Sequence, residues 1–383
     1  MPSPIPLLRD LVAIPSVNPS DGEPDDSLFG EARMVEYLEC FFRSQRIDCV
    51  RQQARPGREN LIAWVQGKSP QPIILEAHTD TVSVEGMTIA PFGPVLRDGR
   101  VYGRGACDDK SSLAAMAAAL VRVARAGTPE RTCILAATCD EEYRFGGVWR
   151  FVEDPGVLGL KSEDLAGAWG CIGEPTNLSV VIAHKGAFRW RLRTHGKAAH
   201  SSDPDRGENA ILKMAPLLLA LEVYAEGLRA RPKHPLVGTP TFSVGTIRGG
   251  SAVNIVPDLC EVQVDRRLIP GEDGEQAQRE LRAALDAVAP CGYELVTLLQ
   301  DWPMETPREA HIVRRAVAAV EAVLGSATIA GVAYGTDASK LARAGAQCVV
   351  CGPGNIAQAH TAEEWVDVAE VEAAVEVYRG LLA

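Results

Sequence analysis

The sequence predicts an α/β protein: a central, mostly parallel sheet flanked by helices, with a smaller ferredoxin-like α+β domain inserted into the chain. Its 383 residues exceed the roughly 250–300 residues at which a single core stops growing. Helix and strand patterns alternate in both terminal parts of the chain, whereas the order between them is that of an antiparallel domain. We therefore predict one domain over residues 1–179 and 296–383, and an inserted domain over residues 180–295.

Each element of the larger domain has its own local signal. Apolar residues recur at helical spacing over residues 31–44, and short apolar runs over residues 60–65 and 72–77 are typical of strands. The segment "SSLAAMAAALVRVARAG" consists of strong helix formers and ends in Gly127, a helix terminator. "RTCILAATCDEE" predicts a buried strand followed by three acids. Residues 309–324 predict a further helix, and "AQCVVCG" predicts a strand before the last helix.

The inserted domain has a different order of elements. The predicted elements are a strand (180–193), a helix (208–225), two strands (241–247 and 252–267), a helix (272–288) and a strand (293–299). This β-α-β-β-α-β order is that of a ferredoxin-like domain. Apolar Phe188, Trp190 and Leu192 alternate with charged residues, as expected for an antiparallel sheet with one buried face.

The composition excludes several classes of protein. The formal net charge of −11 disfavours nucleic acid or an anionic membrane as a partner. The longest apolar run of the Ala-rich segment, residues 113–121, is too short to span a bilayer. The start "MPSPIPLLRD" has neither a basic region nor a long apolar region of a secretory signal, so we expect a cytoplasmic protein with reduced thiols. Cys348 and Cys351 are then interpreted as buried strand residues.

A first candidate for chemistry is "LEAHTDTV", where a strand-like run ends in His78 and Asp80. Residues i and i+2 of a strand share a face, so the two side chains should project together. Such a pair can be a metal ligand with the carboxylate that fixes its tautomer. Alone, it is more often a hydrogen-bonded surface pair, so only partners elsewhere in the chain could make it a site.

Other acids follow predicted strands or precede a helix. "YGRGACDDKSS" places Asp108 and Asp109 before a helix N-terminus, where negative charge is favoured, although one of them could be a simple N-cap. "ATCDEEYRFGG" places Asp140, Glu141 and Glu142 after a buried strand, at the edge where α/β proteins bind ligands. Three acids in a row can also be a solvated turn.

Two further segments complete the set: "CIGEPTN" contributes Glu174, and "GPGNIAQAHTAEEW" contributes His360. Imidazoles with carboxylates suit Zn, Mn or Co. Three carboxylates and two histidines can hold two cations ~3.5–4 Å apart when one carboxylate bridges them, and a spare glutamate can then take a proton from water. The alternatives are a non-catalytic binding protein and a set of dispersed surface residues.

As an ordered set spanning nearly the whole chain, from "LVAIPSVNPS" to "AHTAEEW", these motifs resemble a family of di-zinc amidohydrolases and exopeptidases. That family includes acetylornithine deacetylase, succinyl-diaminopimelate desuccinylase, aminoacylase and glutamate carboxypeptidase. The resemblance implies the following site: His78 and Glu174 on one zinc, Glu142 and His360 on the other, Asp108 bridging, Asp80 behind His78, Glu141 as general base, and a cis peptide between Asp108 and Asp109.

The resemblance also implies that residues 180–295 form a lid and dimerisation domain. Within it, His200 would stabilise the oxyanion from the partner subunit of a homodimer. Arg267 would bind the substrate carboxylate, although the adjacent Arg266 leaves open which arginine faces the substrate. Three further residues resemble substrate-binding positions: Asn254, Gly335 and Thr336.

The implied activity is metal-dependent hydrolysis of the amide bond of a small N-acyl amino acid or peptide. The motifs "IGEPT", "AHKG" and "HSSDPDRG" are most similar to those of acetylornithine deacetylase, so deacetylation of an N-acetyl-L-ornithine-type substrate is our first expectation. Desuccinylation of N-succinyl-diaminopimelate is the second, and cleavage by a dipeptidase or carboxypeptidase is the third. Zinc is the expected metal, with cobalt or manganese as alternatives.

Overall fold

The computed structural model describes residues 3–20, 22, 24, 27–156, 159–289 and 292–383. The chain divides into two units. The first comprises Met1–Ile182, Thr306–Ala330 and Thr336–Ala383, and the second comprises Ala183–Glu305 and Gly331–Gly335. The second unit extends past the predicted limit of residue 295 because the last strand of its sheet ends only at Asp301.

Strands and helices alternate through most of the chain. The strands are β1 (Asp48–Arg55), β2 (Arg58–Val65), β3 (Ser69–His78), β4 (Val95–Arg97), β5 (Arg100–Tyr102), β6 (Arg131–Thr138), β7 (Trp169–Ile172), β8 (Val180–His184), β9 (Gly186–His195), β10 (Thr241–Gly249), β11 (Leu259–Leu268), β12 (Glu294–Asp301), β13 (Met304–Glu305), β14 (Ile329–Val332), β15 (Gln347–Val350) and β16 (Trp365–Asp367). The α-helices are α1 (Pro4–Ala13), α2 (Ala32–Ser44), α3 (Lys110–Ala126), α4 (Gly146–Glu153), α5 (Ala210–Arg229), α6 (Gly274–Asp286), α7 (His311–Leu324), α8 (Ala338–Arg343) and α9 (Val368–Leu382).

The main sheet of the first unit has the strand order β1-β2-β6-β3-β7-β15-β8. Its middle strands, β6, β3, β7 and β15, are parallel, as predicted. The outer strands β1, β2 and β8 are antiparallel to their neighbours, so the sheet is mixed. The sequence did not predict β1, because its residues "DCVRQQAR" lack apolar alternation and only Gln52 among them is buried.

Helix α3 packs on this sheet and positions the two aspartates that precede it. It contacts β3 and β6 on one side and α1 and α9 on the other. Residues 113–121 of the helix are fully or almost fully buried, which explains their continuous apolar character. The helix begins at Lys110, directly after Asp108 and Asp109, and the peptide bond between those two aspartates is cis, as the resemblance implies.

The second unit has a four-stranded antiparallel sheet with the order β10-β11-β9-β12. Along the chain, these strands and helices α5 and α6 have the predicted β-α-β-β-α-β order. The alternating residues Trp190 and Val262 of the sheet pack with Leu217 and Leu281 of the two helices in one buried core. The predicted ferredoxin-like arrangement is therefore confirmed.

Two predicted strands of this region were wrong in their limits. The strand predicted over residues 180–193 is two strands, β8 and β9, separated at Lys185, because the chain changes from one sheet to another there. The strand predicted over residues 252–267 begins only at Leu259. Pro257 has no N–H for a strand ladder, and the residues before it form a turn in which the N–H of Ile255 donates to a main-chain carbonyl. Among the described residues, no helix is both long and apolar enough to cross a membrane.

Candidate metal centre

The five predicted metal ligands all lie in the first unit, near the carboxyl ends of its strands. His78 is the last residue of β3, and Asp108 lies just before α3. The other three follow parallel strands of the same sheet: Glu142 after β6, Glu174 after β7 and His360 after β15. Because the carboxyl ends of parallel strands meet at one edge, this order of elements brings the five side chains together.

Three of the five form what we call the first ligand group: His78, Asp108 and Glu174. One donor atom from each lies within 4.8 Å of the others. The Nε2 atom of His78 is 2.9 Å from Oδ1 of Asp108. Its Nδ1 atom is 2.9 Å from the main-chain carbonyl oxygen of Asp80. Because a carbonyl only accepts hydrogen bonds, Nδ1 carries the proton, which leaves Nε2 to bind a cation.

The second ligand group consists of Asp108, Glu142 and His360, whose donor atoms also lie within 4.8 Å of one another. Nε2 of His360 is 3.1 Å from Oε1 of Glu142 and 3.2 Å from Oδ2 of Asp108. Asp108 therefore directs one carboxylate oxygen toward the histidine of each group. It is the residue that the two groups share.

Glu141 belongs to neither group, but it is close enough to interact electrostatically with His78 of the first group and Glu142 of the second. Its backbone N–H donates to Oδ1 of Asp80 over 3.1 Å, and the N–H of Glu142 donates to Oδ2 of Asp80 over 3.1 Å. The backbone of this acidic segment is thus fixed. Among the described residues, no side chain forms a hydrogen bond with the carboxylate of Glu141, so it is available for chemistry.

The segment that carries Asp108 is held by Glu364, a buried residue outside the predicted set of site residues. Its carboxylate accepts the backbone N–H groups of Cys107 and Asp108 over 2.9 and 3.0 Å. It also pairs with the Arg104 guanidinium at 2.6 Å. Glu364 follows His360 by four residues, and no sequence signal shows that its carboxylate meets these amides.

The carboxylates of the two groups face one another in a buried setting. Burial raises the pKa of Glu174 well above its ordinary value, and the negative charges of Asp108 and Glu141 add to this effect. Burial also raises the pKa of Glu141 well above its ordinary value, against the opposing charge of His78. Burial acts on Asp108 too, but hydrogen bonds from His360 and His78 outweigh it and lower the pKa of that carboxyl.

These residues fit a pair of divalent cations. The donor set of carboxylate oxygens and imidazole nitrogens suits Zn, Co or Mn better than thiolate-preferring ions. The tautomer of His78 presents Nε2, and Asp108 offers one oxygen to each group. Several mutually repelling carboxylates in one buried cluster are also what a bound cation would neutralise.

The other predicted site residues lie in different places. Thr336 belongs to the first unit and is buried, and its hydroxyl accepts the N–H of Ala338 over 3.2 Å. Gly335 belongs to the second unit. Also in the second unit, Nδ1 of the exposed His200 is 2.7 Å from the Ser202 hydroxyl.

Asn254 is exposed in the second unit, where its main-chain carbonyl accepts the N–H of Ser201 over 3.0 Å. The two adjacent arginines differ clearly. Arg266 is fully buried and pairs with Glu272 at 2.8 Å. Arg267 is half-buried and pairs with Asp265 at 2.7 Å.

Two ligand groups that share one carboxylate, at the carboxyl edge of an α/β sheet and next to a spare glutamate, define the chain as a metal-dependent hydrolase with a dinuclear type of centre. Comparison with known proteins gives a narrower class. The chain belongs to Peptidase family M20/M25/M40, which matches residues 74–383.

Relatives match over almost the full length. An acetylornithine deacetylase from Proteus mirabilis is 32% identical, with 100% of this chain and 96% of the relative covered. An acetylornithine deacetylase from Erwinia tasmaniensis is also 32% identical, with 97% of this chain and 95% of the relative covered.

Solved structures share the fold. An M20 family metallo-carboxypeptidase from Sulfolobus solfataricus superposes with a TM-score of 0.80 at 17% identity, over 100% of this chain and 99% of that structure. A dinuclear metal-binding peptidase of the same family from Bacillus subtilis has a TM-score of 0.71 at 15% identity, over 99% of this chain and 96% of that structure. The predicted family and fold class are confirmed.

Proposed function

We propose that this protein hydrolyses the amide bond of a small N-acyl amino acid, with N-acetyl-L-ornithine or a close analogue as its substrate. One observation carries the proposal: Asp108 serves two ligand groups at once, beside Glu141 with a carboxylate free for proton transfer. The choice of acyl amino acid follows the full-length relatives, which are named acetylornithine deacetylases. We also propose a cytoplasmic location, in keeping with the free thiols of the nine cysteines in the described part of the chain.

The proposed assignment of ligands follows the two groups. His78 and Glu174 would hold one cation, and Glu142 and His360 the other, with Asp108 between them. We propose zinc, for which cobalt or manganese could substitute. When bound, the cations would polarise the acyl carbonyl and lower the pKa of water from ~15.7 toward ~7.

Glu141 would act as the general base and then as the general acid. It takes a proton from the water that attacks the acyl carbon, and it returns that proton to the amine as the C–N bond breaks. The products are a carboxylic acid and a free amino acid. Burial raises the pKa of Glu141 above its ordinary value, which favours uptake of a proton by this carboxylate.

The second unit would bind the amino-acid half of the substrate. Arg266 is fully buried and Arg267 is partly exposed, so we assign the substrate carboxylate to Arg267. Asn254 and Gly335 of the same unit, and Thr336 of the first unit, are the other residues that we propose to bind the substrate. His200 would stabilise the oxyanion that develops on the acyl group. Loss of one such donor typically lowers kcat by about 10²–10³-fold.

We further propose that the protein is a homodimer formed through the second unit. Helix α5 exposes Leu212, Leu219 and Val223 by 67–72%, and these residues lie on one helix face because of their spacing. Strand β10 next to it is an edge strand that exposes Val244 and Ile247. A second copy, apposed by two-fold symmetry, would cover both the apolar stripe and the open edge.

Leu219→Glu is expected to convert the dimer to a monomer, because it places a charge in the apolar stripe of α5. If His200 acts on the partner subunit, the monomer also loses about 10²–10³-fold in kcat. Light scattering after gel filtration measures the mass, and turnover is measured on the same fractions. Leu298→Glu is the matched control, since Leu298 is an exposed leucine on the opposite edge strand β12. A monomeric wild type with full activity would contradict both proposals.

A hydrolysis panel tests the substrate. Metal-reconstituted protein is assayed with N-acetyl-L-ornithine, N-succinyl-diaminopimelate and simple dipeptides, and we expect the highest kcat/KM for N-acetyl-L-ornithine. Dialysis against a strong chelator should abolish the activity, and added Zn or Co should restore it. A higher kcat/KM for either competing substrate would overturn the substrate assignment, and activity that survives complete removal of metal would overturn the mechanism.

A further inference from the structure

The carboxylate of Asp80 does not form a hydrogen bond with His78. Its Oδ1 atom is 3.7 Å from Nδ1 of His78, which is beyond hydrogen-bond distance. The main-chain carbonyl of Asp80 accepts the hydrogen bond from the Nδ1–H group instead. The carboxylate instead accepts the two backbone N–H groups of Glu141 and Glu142. It therefore positions the general base and a ligand of the second group.

Asn18 completes the hydrogen bonds of this carboxylate. Its Nδ2 atom donates to Oδ2 of Asp80 over 2.7 Å and to Oδ1 of Asp140 over 3.1 Å. Its Oδ1 atom accepts the N–H of Ser20, and its own N–H donates to the carbonyl of Thr81. Asn18 is 9% exposed, and these protein groups hold its side-chain amide in one orientation.

Asp140 is a fixed point in the same network. Its backbone has a positive φ of 65°, its carboxylate pairs with Arg55 and Arg58, and its N–H donates to Glu31. Arg58 is buried and also pairs with Glu31. Asn18 thus lies between two buried carboxylates. That of Asp140 pairs with the two arginines, and that of Asp80 accepts the backbone N–H groups of Glu141 and Glu142.

We propose that Asn18 is a positioning residue for the proposed hydrolysis, on which this inference rests: it holds the Asp80 carboxylate against the amides of Glu141 and Glu142. A neutral amide suits this place, because it donates to both carboxylates without adding charge. Loss of both donors would leave the buried carboxylate of Asp80 with one hydrogen bond fewer, so that it could rotate. The base and the second ligand group would then lose their fixed position.

Asn18→Leu removes the donors at nearly constant volume. We expect kcat to fall by about 10–10²-fold with little change in KM, since a small misplacement of a catalytic group has this effect. Calorimetric titration of the metal-free protein with Zn should show that one of two binding events, the one assigned to the second ligand group by comparison with His360→Ala, is lowered by about 10–100-fold in affinity. Asn18→Asp should lower kcat more than Asn18→Leu does. It would place a third negative charge next to the carboxylates of Asp80 and Asp140, which would repel it.

A double-mutant cycle separates positioning from general destabilisation. Asp80→Asn and Asn18→Leu act through one contact, so the double variant should lose little more than Asp80→Asn alone. Thr194→Val is the control: it removes a buried hydrogen bond of 2.8 Å to Ala210 in the second unit. It should lower the melting temperature without changing kcat. If Asn18→Leu does not fold, Asn18→Ala, which also removes both donors, is measured instead.

A folded Asn18 variant with wild-type kcat and wild-type affinity for both cations would overturn the proposal, as would fully additive losses in the cycle. The Zn titration keeps this inference separate from the proposed activity. If the wild type binds two cations but cleaves no acyl amino acid, the proposed function fails. The effect of Asn18→Leu on the second binding event then decides the inference alone.

Discussion

Glu141→Gln is expected to lower kcat by about 10²–10⁴-fold while both cations remain bound. The amide of glutamine has nearly the size of the carboxylate but cannot take a proton from water. Glu141 belongs to neither ligand group, and its backbone hydrogen bond to Asp80 does not depend on its side chain. The measurement is kcat for the preferred acyl amino acid, together with metal content by elemental analysis of the same sample.

The matched control is Glu153→Gln, which makes the same exchange at an exposed glutamate of the first unit. It should leave kcat and metal content unchanged. Turnover near the wild-type rate in Glu141→Gln, with two cations bound, would remove the residue from the mechanism. Loss of one cation along with activity would instead show that Glu141 is a ligand.

The clustering of the five proposed ligands could be predicted because each of these residues is tied to an element with a clear pattern. His78 and Glu142 follow apolar runs that form parallel strands, and parallel strands end at the same edge of a sheet. The sheet thus converts residues distant in sequence into one cluster. The location of Glu141 near this cluster could be predicted for the same reason, since it lies beside Glu142 after β6.

The residues that hold the cluster could not be predicted in this way. Asn18 and Glu364 act on backbone amides, and a sequence pattern does not show which amides of a distant loop need an acceptor or which carboxylate needs a donor. The same reason applies to Asp80, since the resemblance implied a contact with His78. In the structure, the main-chain carbonyl of Asp80, and not its carboxylate, forms the hydrogen bond with His78. Strand β1 was missed because it is mostly polar.

Asp108→Ala is expected to have the largest effect of any single substitution, because it removes a donor from both ligand groups. Each of its oxygens lies near the histidine of one group, 2.9 Å from His78 and 3.2 Å from His360. Replacement of a residue that only supports a ligand costs about 10–100-fold in metal affinity. Loss of a shared ligand should exceed this cost at both positions and bring hydrolysis below detection.

His360→Ala provides the contrast, since it takes a donor from the second ligand group alone. Calorimetric titration with Zn should then show one binding event that is close to wild type and one that is lost. For Asp108→Ala, both events should weaken together, because neither group keeps three donors. Two separate events of wild-type affinity in Asp108→Ala would mean that the cations do not share this carboxylate. A wild-type first event with loss of the second would confine Asp108 to one group, and the dinuclear centre would have to be abandoned in its proposed form.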